Sequence, residues 1–394
     1  MGAPPQTTTP APRVIHTAQL IAAMLKSNGH VSDIIFSPGR APQVEVSGKL
    51  VELKYKGLES LSAADTKSIA YDIMGDNEHP LHKLDQDGSA DLSYGLPGVA
   101  RFRVNIFRQR GSVAIVMRVV PDKIPGFDDL KLPKVLEEIV DLKNGIVLVT
   151  GPTGSGKSST LAAIIDKMNA EKAFHILTIE DPIEFLHRHK KATIHQRELH
   201  SDTPTFALAL RAALRQAPKV ILVGEMRDRE TMEIALEAAE TGHLVLSTLH
   251  TIDASKTVER IVGVFPLSDQ QTIRTRLGKA FRFIISQRLL PRKDSKGRVA
   301  AIEVLKSTLR TRDYVEKGEG EGKTLLDAMR DGDTEGMQHF DGEIEKFIRA
   351  GTIDFETGLG YATNPGNLRL ELADFVENQA ANGEGNPAEV GVER

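Results

Sequence analysis

Gly151-Pro152-Thr153-Gly154-Ser155-Gly156-Lys157-Ser158-Ser159 is the stretch from which the rest of this chain can be read. Its first eight residues fit Gly-x-x-x-x-Gly-Lys-Ser/Thr, the spacing of a phosphate-binding loop. The glycines let backbone N–H groups turn inward around phosphates. Lys157 is then placed to reach the β- and γ-phosphates, and Ser158 to ligate Mg²⁺. The flanks agree with this reading. Residues 146–150 are uniformly apolar apart from Thr150 and read as a buried strand entering the loop. Residues 157–168 read as the helix leaving it, with its positive end beneath the phosphates. The expectation is a P-loop nucleoside triphosphatase that binds ATP and Mg²⁺.

Composition sets the outer bounds. A chain of 394 residues with 40% hydrophobic content suggests two or three domains with sizeable cores. No stretch approaches the length of a membrane span, and no signal-peptide pattern opens the chain. The absence of cysteine excludes disulfides, thiol chemistry and cysteine-ligated zinc. A net charge of −4 with 5% aromatic residues argues against a nucleic-acid scaffold. A cytoplasmic protein is expected.

Residues 1–13 are rich in Pro and Thr and are expected to be disordered, as is a polar tail over 373–394. A first unit is expected over 14–121. It has helices at 16–26 and 63–74, the second capped by Ser62, and strands near 34–36, 43–46, 50–53, 100–108 and 112–120. Pro121, Pro125, Gly126 and Pro133 mark a linker over 122–133. The second unit, 134–372, opens with a helix ending at Asn144-Gly145. Strand candidates at 146–150, 174–179, 220–223 and 244–249 then alternate with helical spacing at 205–214, 230–239, 254–264 and 270–289. That rhythm indicates a parallel sheet with helices on both faces, followed by a strand and further helices from about 300.

Chemistry-bearing residues cluster after the strand candidates. The run Val220-Ile-Leu-Val-Gly-Glu225 ends a buried strand in an acid, with Gly224 where a Walker B aspartate is usual. Glu225 is therefore the candidate general base. A second apolar strand runs into Glu180-Asp181-Pro182-Ile183-Glu184. Adjacent carboxylates there need Mg²⁺ or arginine to share their charge, which makes Glu180 a candidate to position water or metal. His243 and His250 bracket a third strand, point to opposite faces and lie more than about 20 Å apart by the usual rise, so they do not share a metal. His250, at the carboxyl end, is placed to sense the γ-phosphate, whereas His243 reads equally well as a structural hydrogen-bonding residue.

Four boxes follow one another at close spacing: the P-loop; Thr178-Ile-Glu-Asp-Pro-Ile-Glu184; Gly224-Glu-Met-Arg-Asp228; and Glu240-Thr-Gly-His243 with Thr248-Leu-His-Thr251. Together they resemble the secretion ATPase superfamily, and within it the type IV pilus twitching-motility (retraction) ATPases, PilT/PilU-like. The resemblance covers about residues 14–372. It implies an α/β protein, a PAS-like α+β N-terminal domain followed by a RecA-like P-loop domain with a helical C-terminal part. It also implies a homo-hexamer working at the cytoplasmic face of the inner membrane on a pilus platform protein, with a second pilus ATPase as a further partner. Ser32-Asp33 lies near the family's Ser-Asp-Leu-His position. Arg103 and Arg118 match a family pattern, Arg101-Phe-Arg-Val-Asn105 with a later arginine, whose members reach nucleotide on a neighbouring subunit. On sequence alone each is a strand arginine.

The retraction branch is favoured over the assembly branch by the absence of a four-cysteine element and of room for a long N-terminal domain. Gly336-Met-Gln-His-Phe-Asp341 resembles a stretch of the retraction ATPases, and Asn364-Pro-Gly-Asn-Leu-Arg-Leu370 the end of PilU-like chains. Two departures stand out. Arg215-Gln-Ala-Pro-Lys219 lacks two family acids. Thr308-Leu-Arg-Thr-Arg-Asp-Tyr-Val-Glu316 replaces the retraction-associated motif, with Arg310 as the substitute for its first arginine. An accessory motor and a type II secretion or pilus assembly ATPase therefore stay open, with a RecA-like nucleic-acid translocase as the distant rival.

Overall fold

The computed structural model describes residues 14–121 and 123–381. The ends expected to be disordered, 1–13 and 382–394, lie outside the described residues, as does Asp122 of the expected linker. The chain divides into two units. One takes in residues up to Lys123 with Glu180–Leu186 and Arg197–Thr205. The other takes in Ile124–Ile179, His187–Gln196 and the chain from Phe206 onward.

The first unit is built from α1 (Thr17–Lys26), β1 (Val31–Phe36), β2 (Gln43–Val46), β3 (Lys49–Glu52), α2 (Ala63–Met74), α3 (Glu78–Gln86), β4 (Ser89–Leu96), β5 (Ala100–Gln109) and β6 (Ser112–Val119). Its sheet runs β3-β2-β1-β6-β5-β4 with every neighbour antiparallel. Alternation sets its two faces. In β5, Phe102, Val104 and Ile106 enter a core with Ile21, Met24, Ile69 and Ile73 of α1 and α2, which leaves Arg101, Arg103 and Asn105 on the other face. The expected start of α2 is present as a reciprocal capping box between Ser62 and Asp65. This is the expected PAS-like α+β arrangement. Sequence reasoning missed α3 and β4: α3 carries Pro80 in its first turn, whereas β4 alternates Ala90, Leu92, Tyr94 and Leu96 with Ser, Asp and Gly and pairs along its full length with β5.

The second unit opens with α4 (Phe127–Leu130) and a 3₁₀ segment, Lys134–Asp141. An α-helix was expected there. The tighter winding, with i→i−3 bonds from Leu136 to Pro133 and from Leu142 to Ile139, still turns Leu136, Ile139 and Val140 into the core. Then come β7 (Gly145–Thr150), α5 (Lys157–Glu171), β8 (His175–Glu180), β9 (Thr193–Glu198), α6 (Phe206–Ala213), β10 (Val220–Val223), α7 (Arg229–Glu240), β11 (Leu244–Leu249), α8 (Ala254–Gly263), α9 (Leu267–Ala280), β12 (Phe281–Pro291) and β13 (Arg298–Lys306). The helices α10 (Leu309–Lys317), α11 (Leu325–Asp331), α12 (Phe340–Arg349), α13 (Phe355–Tyr361), α14 (Pro365–Glu371) and α15 (Ala373–Ala381) close the chain. Residues 373–381, expected as tail, are therefore helical.

The sheet order is β13-β12-β7-β11-β10-β8-β9. Strands β12, β7, β11, β10 and β8 run parallel, as expected for the four strands read from the sequence, and β13, the further strand from about 300, returns antiparallel on β12 and makes the sheet mixed. Val147 and Val149, Leu244 and Leu246, Phe283 and Ile285 pack under α5 from one face. Their alternates Leu148, Val245 and Ile284 are buried on the other face, as strands covered on both sides must be.

One expected helix, 270–289, is corrected. Only its first part is helical; from Phe281 the chain becomes β12. Apolar residues at 273, 277, 281 and 284 keep a helical period by coincidence. The place beside β7 needs a strand buried on both faces, and Phe281, Phe283, Ile284 and Ile285 supply one.

Candidate functional site

In the second unit β7, β10 and β11 deliver their carboxyl ends to one sheet edge, where ligands of parallel sheets bind. β7 runs into the phosphate-binding loop. Gly151, Gly154 and Gly156 take φ of +143°, +77° and +94°, which side-chain-bearing residues rarely adopt. At Gly151 there is also no room. A Cβ there would lie 2.5 Å from both the Gln287 carbonyl oxygen and Ser155 Oγ. Lys157 and Ser158 start α5, so the loop's amides face the end of a fifteen-residue helix. Lys157 donates to the carbonyls of Gly151 at 2.9 Å and Pro152 at 3.0 Å. Ser155 Oγ is buried without a hydrogen-bond partner among the described residues.

Glu225 lies two residues past β10. Its side chain is only 14% exposed, with Arg227 Nε 2.6 Å from one carboxylate oxygen and His250 Nε2 3.5 Å from the other. Side-chain bonds hold this corner: Ser247 donates to the Val223 carbonyl and Thr248 to the Gly224 carbonyl, both at 2.7 Å. Asp228 caps α7 through Thr231. The structure thus brings Glu225 and His250 together. At the far end of β11, His243 Nδ1 bonds the Ala238 carbonyl at 3.0 Å. The neighbour Arg227, which shares Glu225's charge, has no signal in the sequence beyond its place in Gly224-Glu-Met-Arg-Asp228.

The other candidates belong to the first unit. Arg103 and Arg118 face each other across β5 and β6, and Asp33 continues the row on β1. Like charges directly opposite repel, and carboxylates relieve this. Arg118 Nε lies 3.0 Å from Asp33, and Arg103 lies 3.3 Å from Glu184. Both arginines line a cavity of about 500 Å³, together with the stacked rings of His79 and His200. Glu180 ends β8, and its carbonyl accepts from Leu199 N at 2.9 Å.

A residue that sequence reasoning missed organises this acidic box. Buried Glu198 receives three donors on one oxygen: Ser93 Oγ at 2.8 Å, Arg101 Nη2 at 2.8 Å and Ile183 N at 2.9 Å. Arg101 shares a strand face with Arg103, and that i, i+2 spacing was the available signal.

A family model for type II/IV secretion system proteins matches residues 45–335. The chain is 42% identical over 337 residues to the type IV pilus retraction ATPase PilT of Pseudomonas aeruginosa, covering 86% of this chain and 96% of that one. The chain belongs to the type IV pilus retraction ATPase family. It is also 37% identical over 362 residues to the type IV pilus ATPase PilU of the same organism, covering 92% of each chain. A crystal structure of the pilus retraction motor PilT with bound ADP superimposes with a TM-score of 0.79 at 42% identity, over 91% of this chain and 100% of that one. The family assignment makes the chain a nucleotide-binding ATPase.

The donor set suits Mg²⁺. Ser158 supplies one hydroxyl in the first turn of α5, and Glu225 stands at the same sheet edge. A hard cation that keeps several waters and takes its remaining ligands from phosphates needs little more from protein.

Proposed function

We propose that this chain is the ATPase motor that powers type IV pilus retraction, acting as a homo-hexamer on a platform protein at the cytoplasmic face of the inner membrane. The observation that carries the reading is identity at 42% across nearly the whole length of a pilus retraction ATPase. In this reading residues 14–121 form the N-terminal domain, 134–372 the motor domain, and 122–133 the linker. ATP lies on Gly151 to Ser159. Ser158 would hold Mg²⁺, which would supply positive charge against the phosphates. Glu225 takes the proton of the attacking water, with Glu180 orienting it and His250 facing the γ-phosphate. Arg103 and Arg118 of the adjacent subunit supply guanidinium charge to the transferring phosphoryl group. Before they reach a neighbour, both must leave the carboxylates that hold them within their own chain. No helix among the described residues is long and apolar enough to cross a membrane, which fits attachment through a protein partner. Nucleic acid has no place in this reading.

Mixing tests action in trans. Arg103→Ala and Lys157→Ala are each expected to lose turnover by about 10²-fold or more. Mixed, they are expected to regain part of it, because some interfaces combine an intact loop with an intact arginine. Absence of rescue at every ratio would sink the trans assignment.

A second reading, an accessory motor that works with another pilus ATPase, is favoured by α10. There Arg310 bonds Tyr314 and pairs with Asp331 of α11 at 2.6 Å, tying the departing segment into its own helices.

A further inference from the structure

A carboxyl group that none of this chemistry uses lies inside the second unit. Glu303 sits mid-strand in β13, 3% exposed, between buried Ile302 and Val304. A carboxyl in such a place persists only where hydrogen bonds compensate its lost hydration. Register supplies them. Glu303 pairs directly with Ser286 of β12, and Ser286 pairs directly with Thr150, the last residue of β7. The Thr150 hydroxyl donates to Ser286 Oγ at 3.1 Å, and Ser286, directly opposite Glu303 in the register, stands on the same face of the sheet as its carboxyl.

On its other side Glu303 Oε1 accepts from Ala254 N at 2.9 Å, a buried bond to the first residue of α8. That N–H is one of the donors a helix start leaves without an intrahelical partner. The side chain that caps α8, Asp253, is already used on Lys256 N at 2.7 Å. Burial pushes the Glu303 carboxyl up to about 7, opposed by the Ala254 hydrogen bond, Arg288 and Ser286, with Asp253 adding to the rise. Both protonation states keep the row. The carboxylate accepts from Ala254, and the acid still accepts from Ala254 through its carbonyl oxygen.

The row Thr150–Ser286–Glu303–Ala254 therefore spans from the residue before the phosphate loop to the helix after His250-Thr251-Ile252-Asp253. We propose that Glu303 is a positioning residue of the ATPase, holding the turn that carries His250 at a fixed place against the strand end from which the phosphate loop springs. It acts through these neighbours, and it rests on the reading of His250 as the residue that faces the γ-phosphate.

The test compares three substitutions in the full-length chain, with steady-state ATPase kinetics, equilibrium binding of a fluorescent ATP analogue and a thermal melt for each. Glu303→Gln keeps an acceptor for Ala254 and a donor for Ser286, and is expected to retain at least half of wild-type kcat. Glu303→Met fills the same volume without an acceptor. It is expected to lower kcat about tenfold while analogue affinity changes less than threefold. Ser286→Ala removes one oxygen and cuts the row without touching the hold on α8, and is expected to lower kcat about threefold. Equal kcat in Glu303→Gln and Glu303→Met would show that only volume matters and overturn the proposal. Should Glu303→Met not fold, wild-type kcat in Ser286→Ala overturns it instead.

His250→Ala, alone and with Glu303→Met, separates the two readings. A smaller loss from His250→Ala in the Glu303→Met background supports action through His250. Losses that simply multiply count against it. If His250→Ala alone leaves kcat intact, the γ-phosphate role and the action of Glu303 through His250 both fall, and a kcat still lowered in Glu303→Met then reports only its hold on the strand end beside the phosphate loop.

Discussion

At the scale of single residues, Gly151 is confined twice over, by a positive φ and by two atoms only 2.5 Å from where a Cβ would lie. That glycine was legible in the sequence because the loop pattern encodes a local backbone geometry. His187 was not legible, because its character comes from burial by distant chain. Its ring is buried, Nδ1 has no hydrogen-bond partner among the described residues, and Asp166 lies 3.9 Å away. Burial holds its pKa down at about 4, more than the Asp166 carboxylate can offset. The neutral ring is thus favoured in the folded chain. Below about pH 6.5 the unfolded chain takes up the proton first, so the contribution to stability is complete above that pH. It is lost as pH falls toward 4, by up to about 3 kcal/mol. His187→Leu removes this sensitivity. Urea midpoints at pH 7.5 and pH 5 are expected to show wild type losing more than the variant on acidification. A difference that stays constant with pH would mean that the ring is charged or exposed in the folded protein.

Among the elements, those with a single dominant local signal were readable, and those set by partners were not. β7 and α5 announce themselves through an apolar run, a glycine loop and a helical stripe. β12 was misread because its helical period and its strand pairing coexist in one sequence, and only the slot beside β7 settles between them. Glu198 and Arg101 escaped for the same reason, since their importance lies in meeting across the first unit. The C-terminal helices show how polar groups dock an element. Buried Asp341 accepts from Thr363 N at 2.6 Å and Asn364 N at 2.9 Å, which pins the turn between α13 and α14. Beside it the Arg288 guanidinium lies 3.8 Å over the Phe340 ring and donates to the Tyr361 carbonyl at 2.7 Å. Asp341→Ala strips two part-buried N–H groups of their acceptor and is expected to cost about 3 kcal/mol. Limited proteolysis is expected to cut first near residues 361–364 in that variant. A wild-type cleavage pattern would place the docking energy in the apolar contacts around Leu359 and Leu368 instead.

For the whole molecule, the division of labour between the two units has a kinetic consequence. The phosphate loop, Glu225 and His250 belong to one unit, and Arg103 and Arg118 to the other, where each is held by a carboxylate of its own chain. If those arginines serve the nucleotide of an adjacent subunit, an isolated chain is an incomplete enzyme whose completion depends on assembly. Specific ATPase rate is then expected to rise steeply with protein concentration and to level off once rings have formed, whereas nucleotide affinity of the loop changes little. Raising salt is expected to shift the rise to higher concentration if charged groups dominate the subunit contacts. A specific rate independent of concentration, measured below the point where light scattering reports assembly, would mean that one chain holds a complete site and that the arginines act within it. A rate near zero at every concentration, with nucleotide still bound, would favour the accessory reading that α10 suggests. The next reconstitution would then mix this chain with a second pilus ATPase carrying an inactivated loop, so that any turnover recovered must arise on Gly151 to Ser159.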